Sequence, residues 1–188
     1  FNLMSALHKS MRNSDPDATG YWLARMVEAG EDPMYIARRL GRFASEDVGN
    51  ADPQALTVAV AADEAFRRLG MPEGIFPLAQ CCTYLASTVK SNASYLAFST
   101  AQEDVTEHGA LPVPAHLRNA PTALARSMGH GDGYRYPHDE GGHAAGQAYL
   151  PEALAGRRYY EPKDAGFEIK LKARLARLRG AGGASEGS

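Results

Sequence analysis

The first seventy residues of this chain repeat one pattern of helix boundaries three times. Asp-Pro pairs stand at residues 15–16, 32–33 and 52–53, and a glycine follows each of them, at residues 30, 49 and 70. An Asp side chain accepts hydrogen bonds from the unpaired amides of a first helical turn, and Pro fits the first helical position because its missing N–H is not needed there. Glycine readily adopts the left-handed conformation that ends a helix. The pattern therefore predicts short antiparallel helices joined by tight connections.

Apolar residues at helical spacing continue this architecture through most of the chain. Besides the three marked helices, the spacing predicts helices over residues 3–12, after Pro72, from about 91 to 107, from 122 to 128 and from about 164 to 179. The predicted fold class is all-α: a compact antiparallel helical bundle with an irregular Pro/Gly/Tyr-rich extension and a basic C-terminal helix. The predicted divisions are the bundle over 1–108, the extension packed on it over 109–162, the basic helix over 163–179 and a flexible tail over 180–188.

The apolar pattern also predicts how the core is built. The fourth helix carries alanines that let neighbouring helices approach closely, so we predict a central position for it. Its larger apolar residues and two aromatic anchors of the sixth helix are expected to serve the core, namely Leu56, Val60, Phe66, Leu69, Tyr95 and Phe98. The tyrosines of the extension are expected to hold that segment in order.

Composition bounds the class of protein. The chain has 188 residues, of which 44% are hydrophobic, and this is enough for one full core. A net charge of −2 argues against a chain coated with basic residues, although it allows a local basic patch. No stretch reaches the roughly 18 apolar residues of a membrane span. Because the chain begins at Phe1 inside a helical pattern, we expect it to be a piece of a longer protein.

Catalytic residues are not predicted. Cys81 and Cys82 are adjacent in an apolar helical pattern, which predicts buried free thiols and fits a reducing cytoplasm. Buried thiols are inert, and no G-x-S-x-G turn presents a serine nucleophile. The acid pairs at 46–47 and 63–64 are better explained as solvated helix faces than as paired catalytic carboxylates.

Neither a nucleotide nor a metal site is predicted in this chain. No G-x-x-x-x-G-K-[ST] loop occurs, and the glycine-rich segment 129–133 lacks the lysine and the following helix. The His-rich loop 130–143 comes nearest to a metal site, but zinc favours ligand pairs at short fixed spacings. We favour a polar loop over the alternative, a metal-dependent hydrolase built on His130, Asp132, His138, Asp139, Glu140 and His143.

The basic C-terminal segment is the one part of the chain for which individual residues are predicted to contact DNA or a partner. From Arg157 to Arg179 there are eight Lys or Arg against three acids. Such a helix can follow a phosphate backbone, or it can be a solvated face whose leucines dock the helix to the body. The candidate DNA or partner contacts are Lys170, Lys172, Arg174 and Arg177.

Several segments together carry a family resemblance. They are LMSALHKSMR (3–12), YWLARM (21–26), IARRL (36–40), ASEDVG (44–49), KSNA (90–93), HLRNAPT (116–122) and GYRYPHD (133–139). In this order they resemble the C-terminal part of the replication-associated recombination protein A family. These proteins are AAA+ ATPases of the clamp-loader clade, also called MgsA, and are related to the eukaryotic Werner helicase-interacting protein.

The resemblance implies a function that the residues alone do not. It implies a homotetramerisation domain of a bacterial, cytoplasmic and nucleoid-associated ATPase that acts in DNA replication, recombination and repair at stalled forks. The whole protein would be a DNA-stimulated ATPase that binds ATP and Mg²⁺ in an N-terminal core, with single-strand-binding protein as a possible partner. That core supplies the family's nucleotide and catalytic residues, so none is assigned here. The alternative is a direct DNA-binding module that uses the basic C-terminal helix.

Overall fold

The computed structural model describes residues 2–181, and within this range the chain is all-α, with no strand. The helices are α1 (Asn2–Arg12), α2 (Pro16–Glu28), α3 (Pro33–Phe43), α4 (Gln54–Leu69), α5 (Ile75–Ser87), α6 (Ala93–His108), α7 (Ala123–Ser127) and α8 (Glu168–Ala181). The predicted all-α fold class is confirmed. The predicted tail lies, from residue 182 onward, outside the described residues.

The three Asp-Pro pairs start helices as predicted, and Gly30 and Gly70 follow the predicted helix ends. Asp15 accepts from the Ala18 amide at 2.9 Å, Asp32 accepts from the Met34 amide at 2.9 Å, and Asp52 accepts from the Gln54 amide at 3.1 Å. The three closing glycines all have positive φ angles, as this type of helix exit requires.

The third predicted helix differs from the expectation at its C-terminal end. The α-helix stops at Phe43, and a π-helical turn over Ala44–Val48 and a 3-10 turn over Gly49–Ala51 follow it. Ala44, Val48 and Ala51 are all buried. The chain therefore keeps apolar residues on the core side through both of these turns.

The described chain divides into two compact units. The first joins the chain up to Phe98 with residues 160–171, and the second joins residues 99–159 with the chain from Lys172 onward. The division at residues 108 and 162 that the sequence predicts is a different partition, and it stays a prediction.

The core of the first unit lies among α1 to α5. Its largest fully buried side chains include Leu7, Met11, Met26, Ile36, Leu40, Phe43, Leu78 and Leu85. The central helix is α5, which contacts α1, α2, α3 and α4, so the prediction that α4 is central is wrong. The alanines of α4 are nevertheless buried at Ala55, Ala59 and Ala62, where they let α3 and α5 approach closely. Cys81 and Cys82 are buried free thiols, as predicted.

The second unit contains α7 and a long irregular segment. Thr122 caps α7 by accepting from the Ala125 amide at 3.1 Å. The segment is held by Arg135, whose side chain donates to Glu140 and to the Ala145 carbonyl, while its own amide donates to Gln147. Tyr134, Tyr136 and Tyr149 are exposed. Of these, the Tyr149 hydroxyl accepts from Gln147, and the Tyr136 ring contacts His138. The expectation that tyrosines help to order this segment stays a prediction.

Candidate functional site

The first turns of α6 expose large apolar side chains. Tyr95, Leu96 and Phe98 are 45%, 46% and 66% exposed. Tyr95 and Phe98 are three positions apart and lie side by side on one helix face. Tyr95 and Phe98 were predicted as core anchors, and the structure shows instead that both present apolar surface to solvent. Exposed apolar patches of this kind are typical of protein interaction sites.

The outer face of α4 shows the same departure from the prediction. Leu56, Val60 and Leu69 were expected to serve the core, but each is about half exposed. The core face of α4 is formed by Ala55, Ala59, Ala62 and Phe66, and Leu56 and Val60 lie away from it. The first unit therefore carries more apolar side chains than its own core buries.

The basic helix α8 exposes all four candidate contact residues, but it does not bring them together. Lys170, Lys172, Arg174 and Arg177 are exposed. At about 100° of rotation per residue, Lys170, Arg174 and Arg177 share one face, whereas Lys172 lies on the opposite side of the helix. Leu171, Leu175 and Leu178 form a half-buried stripe between these two faces. Three of the four predicted residues can thus engage one partner surface at once.

Glu168 begins α8 and is fully buried, although it was counted in the sequence only as one acid among basic residues. Its carboxylate accepts from the Ser91 hydroxyl and from the Lys163 amide, both at 2.7 Å, and from the Tyr160 hydroxyl at 3.1 Å. Asn50 in turn donates to the Tyr160 oxygen at 3.2 Å. A buried carboxylate requires such donors, so this cluster fastens residues 160–168 to the rest of the first unit.

The segment before α6 supplies further anchors for the same unit. The Lys90 ammonium donates to the Ser14 hydroxyl and to the Ala86 and Thr88 carbonyls, at 2.8 to 3.0 Å. The next residues reach the returning chain, since Ser91 binds Glu168 and Asn92 accepts from Lys163. Residues 90–92, which belong to the segments carrying the family resemblance, therefore have structural roles in the first unit.

Asp104 organises the second unit. This buried carboxylate of α6 accepts two bonds from the Arg157 guanidinium, each 2.7 Å, and one from the Tyr159 hydroxyl at 2.7 Å. Hydrogen bonds from Arg157 and then Tyr159 lower the pKa of Asp104 to about 2. The bond to Asp104 also raises the pKa of Tyr159. A bidentate Arg–carboxylate pair with a third donor is a strong, directional link, and it ties residues 157–159 to α6.

The histidines of the loop 130–143 do not converge on a metal. Within residues 2–181, the one group of three side chains whose ligand atoms lie within 4.8 Å of one another is Asp104, Glu107 and His108. Asp104 is already occupied by Arg157 and Tyr159, so this group does not offer a free set of ligands. In the loop, Glu140 pairs with Arg135, and the His138 ring lies against Tyr136.

The carboxylate pairs considered for catalysis are each engaged in ion pairs. Asp63 and Glu64 pair with arginines one turn further along α4, Glu46 pairs with Arg42, and Asp47 pairs with Arg12. The glycine-rich segment 129–133 runs through turns and is not followed by a helix, so its residues do not fit a nucleotide phosphate site. None of the helices in residues 2–181 has the length and apolar character that a membrane span requires.

Two polar residues of the first unit were missed in the sequence. His8 is buried on α1, and its ring packs edge-on against Phe43 with the centroids 5.6 Å apart. Arg39 on α3 is half-buried, and its Nε atom is buried. The one feature of the sequence that indicated a buried polar residue was the position of His8, which follows Leu7 on the apolar side of α1.

Comparison with known proteins gives consistent results. A family model described as MgsA AAA+ ATPase C terminal matches residues 13–179. The chain is 55% identical over 180 residues to replication-associated recombination protein A of Coxiella burnetii, covering 95% of this chain and 41% of that protein. It is 52% identical over 179 residues to the Escherichia coli K12 protein of the same name, covering 95% and 40%. It is 45% identical over 165 residues to ATPase WRNIP1 of Dictyostelium discoideum, covering 87% and 19%. The chain spans about two fifths of the length of these bacterial relatives.

Proposed function

This chain belongs to the MgsA AAA+ ATPase C-terminal family, and we propose that it is the oligomerisation domain of a AAA+ ATPase that forms homotetramers. The whole protein, in this proposal, acts in DNA replication, recombination and repair at stalled forks. It binds ATP and Mg²⁺ in an ATPase core outside this chain, and DNA stimulates its hydrolysis of ATP. Single-strand-binding protein is its proposed partner, and the bacterial nucleoid in the cytoplasm is its proposed location. The names of the bacterial relatives support the link to replication and recombination.

The observation that carries the assembly role is the apolar surface of α6. Tyr95 and Phe98 lie exposed side by side on one face of α6 in the first unit. Aromatic and large apolar residues are enriched at the centres of subunit interfaces. In a closed symmetric assembly, one such patch is repeated on every subunit, and a stable interface buries roughly a thousand Å² or more. A second copy of this chain is therefore the proposed occupant of this surface.

The mass of the chain in solution tests this function. Four copies of the 20.2 kDa chain give about 81 kDa. Light scattering coupled to gel filtration, run across a hundredfold range of concentration, should show this mass at the upper end. A constant mass of one chain at every concentration would refute an assembly role for this domain.

A matched pair of variants tests which surface is used. Phe98→Glu places a charge in the proposed interface on α6 and should shift the mass toward the monomer, because burying an unpaired carboxylate is unfavourable. Phe76→Glu is the control, since Phe76 is the same residue type with a similar exposure, 70% against 66%, on α5. If only Phe76→Glu loses assembly, the interface does not lie on α6.

A direct DNA-binding role is the second candidate, and the exposed face formed by Lys170, Arg174 and Arg177 favours it. Three cations at successive turns of one face can contact a phosphate backbone, and such contacts weaken as salt rises. Fluorescence anisotropy with a labelled single-stranded oligonucleotide, measured at several salt concentrations, would report this binding.

Charge reversal at these three residues should reduce both the affinity and the salt dependence. Lys172→Glu, added to the triple variant, is the control. Because Lys172 lies on the other face of α8, this fourth change should reduce the affinity for DNA little further. Binding that is absent in the unmodified chain, or unchanged in the triple variant, would assign this surface to another purpose.

A further inference from the structure

A cavity of about 370 Å³ lies between α1 and α3 in the first unit. Of the seven residues that line it, Lys9, Arg12 and Arg39 are cations, and none is an acid. The other lining residues include His8 and Tyr35. The volume is large enough for a small oxyanion together with several water molecules.

Two buried polar atoms in the wall of this cavity have no protein partner. Within residues 2–181, these are Nε2 of His8 and Nε of Arg39. His8 is buried, with 8% of its surface exposed. Buried polar atoms without a partner are rare in folded proteins and call for an explanation at each site. Both residues line the same cavity.

The charges around the cavity are unbalanced. Arg12 is neutralised by Asp47, with Nε to Oδ1 at 2.5 Å and Nη2 to Oδ2 at 3.2 Å. Lys9 and Arg39, by contrast, form no ion pair with any of residues 2–181. Two positive charges are thus left over beside the cavity. A carboxylate would balance one of them, whereas a phosphate group that carries close to two negative charges at pH 7 would balance both.

We propose that this cavity binds a phosphate dianion, held by Arg39, Lys9 and the ring of His8. The guanidinium group offers donors in a fixed fork that matches a phosphate, the ammonium offers a mobile charge, and Nε2–H of a neutral imidazole offers one further donor. Inorganic phosphate and a phosphomonoester share this chemistry. None of the residues that line it belongs to α6 or α8.

The ionisation of His8 provides a local reporter. Burial first, and then the charge of Arg39, lowers the pKa of His8 to about 4, so the ring is neutral at pH 7. The other charged groups that act on it are Arg12 of α1, which lowers its pKa, and Asp47 and Glu46 of the π-helical turn, which raise it. A dianion beside Nε2 favours the protonated ring and should move the pKa of His8 up toward its ordinary value.

Calorimetric titration of the 188-residue chain at low ionic strength, with NMR titration of the His8 ring, tests the site. The probes are inorganic phosphate, thymidine 5′-monophosphate and acetate. Phosphate should bind at one site and raise the pKa of His8, and acetate should bind at least tenfold more weakly. If inorganic phosphate binds and thymidine 5′-monophosphate does not, the ligand of the cavity is the free ion. If the monophosphate binds as tightly as phosphate or more tightly, the ligand is a phosphomonoester. No phosphate binding, or acetate binding as tight as phosphate, would overturn the proposal.

Two variants and a control locate the binding. Arg39→Gln should weaken phosphate binding at least tenfold. Lys9→Gln should weaken phosphate binding severalfold. Because Lys9 is exposed, Lys9→Gln should keep the fold, so it still tests the site if Arg39→Gln does not fold. Arg68→Gln removes the same charge from α4, far along the chain, and should bind phosphate as the unmodified protein does. Equal weakening in Arg68→Gln would show that only general charge matters and would reject the cavity.

Discussion

The Glu168 carboxylate accepts a hydrogen bond from the Ser91 hydroxyl at 2.7 Å, across 77 residues of sequence. Both side chains are buried. The same carboxylate oxygen accepts from the Lys163 amide, and the other accepts from Tyr160. One acidic side chain therefore fastens the returning segment of the chain to the residues that precede α6.

Replacing Glu168 should destabilise the first unit. Glu168→Ala leaves three donors without their acceptor, one of them the buried Ser91 hydroxyl, and should lower the free energy of unfolding by about 3 kcal/mol. Glu168→Gln should cost less, because the amide oxygen can still accept from Ser91 and Lys163. Denaturant unfolding followed by Trp22 fluorescence measures both, since Trp22 lies in the same unit. The exposed Glu103→Ala is the control and should change the stability by less than about 0.5 kcal/mol.

Gly166 should not tolerate a side chain. It has a φ of +53°, and a Cβ there would lie 2.2 Å from the Ala51 carbonyl oxygen, which accepts from the Phe167 amide at 2.8 Å. Gly166→Ala must push these backbones apart and should lower the free energy of unfolding by about 2 kcal/mol or more. Gly20→Ala in α2 meets nothing within 4 Å and should instead stabilise the chain by about 0.5–1 kcal/mol. Equal changes in thermal stability for Gly166→Ala and Gly20→Ala would contradict the close approach of Gly166 to the Ala51 carbonyl.

The second unit should lose stability in acid through Asp104. Because Arg157 and Tyr159 hold the pKa of Asp104 at about 2, below its ordinary value near 4, the folded unit favours the ionised carboxylate. The resulting stabilisation is complete above about pH 4 and is lost as the pH falls toward 2. Asp104→Asn should be less stable at pH 7 and should lose less stability between pH 4 and pH 2. Amide hydrogen exchange of residues 99–159 measures this, with exposed Asp132→Asn as the control.

The two cysteines should resist thiol reagents in the folded protein. Burial raises the pKa of Cys81 to about 12, and burial together with the neighbouring Cys81 raises the pKa of Cys82 further. The reactive thiolate is therefore scarce at pH 8, and the side chains are also inaccessible. Reaction with a chromogenic disulfide should be slow in buffer and rapid for both thiols in denaturant. Fast reaction of either thiol under native conditions would contradict their place in the core.

Much of the fold could be predicted because its signals are local. An Asp side chain caps an amide two or three residues away, and a glycine exit depends on its own φ angle, so the helix boundaries follow from neighbouring residues. The family resemblance, also carried by short segments, is confirmed over nearly the whole chain. The buried state of Cys81 and Cys82 was predictable for a similar reason, because they lie within a continuous apolar pattern.

The tertiary structure alone decided which apolar residues the core uses. Helical spacing marks Leu56, Tyr95 and Phe98 as apolar, but their burial depends on which helix packs against that face. The central place of α5 likewise depends on contacts between segments that are distant in sequence. The remaining candidate surface on α6 was therefore visible only after the core had been assigned.

Polar residues with buried roles depend even more on distant partners. The sequence determined that the chain folds as capped helices, because capping and periodicity act within a few residues. It could not determine that Glu168 meets Ser91, or that Arg39 and His8 line one cavity, because those distances are set by packing. The physical reason is that a polar side chain is stable when buried only if donors or charges converge on it in space, and convergence is a property of the folded chain.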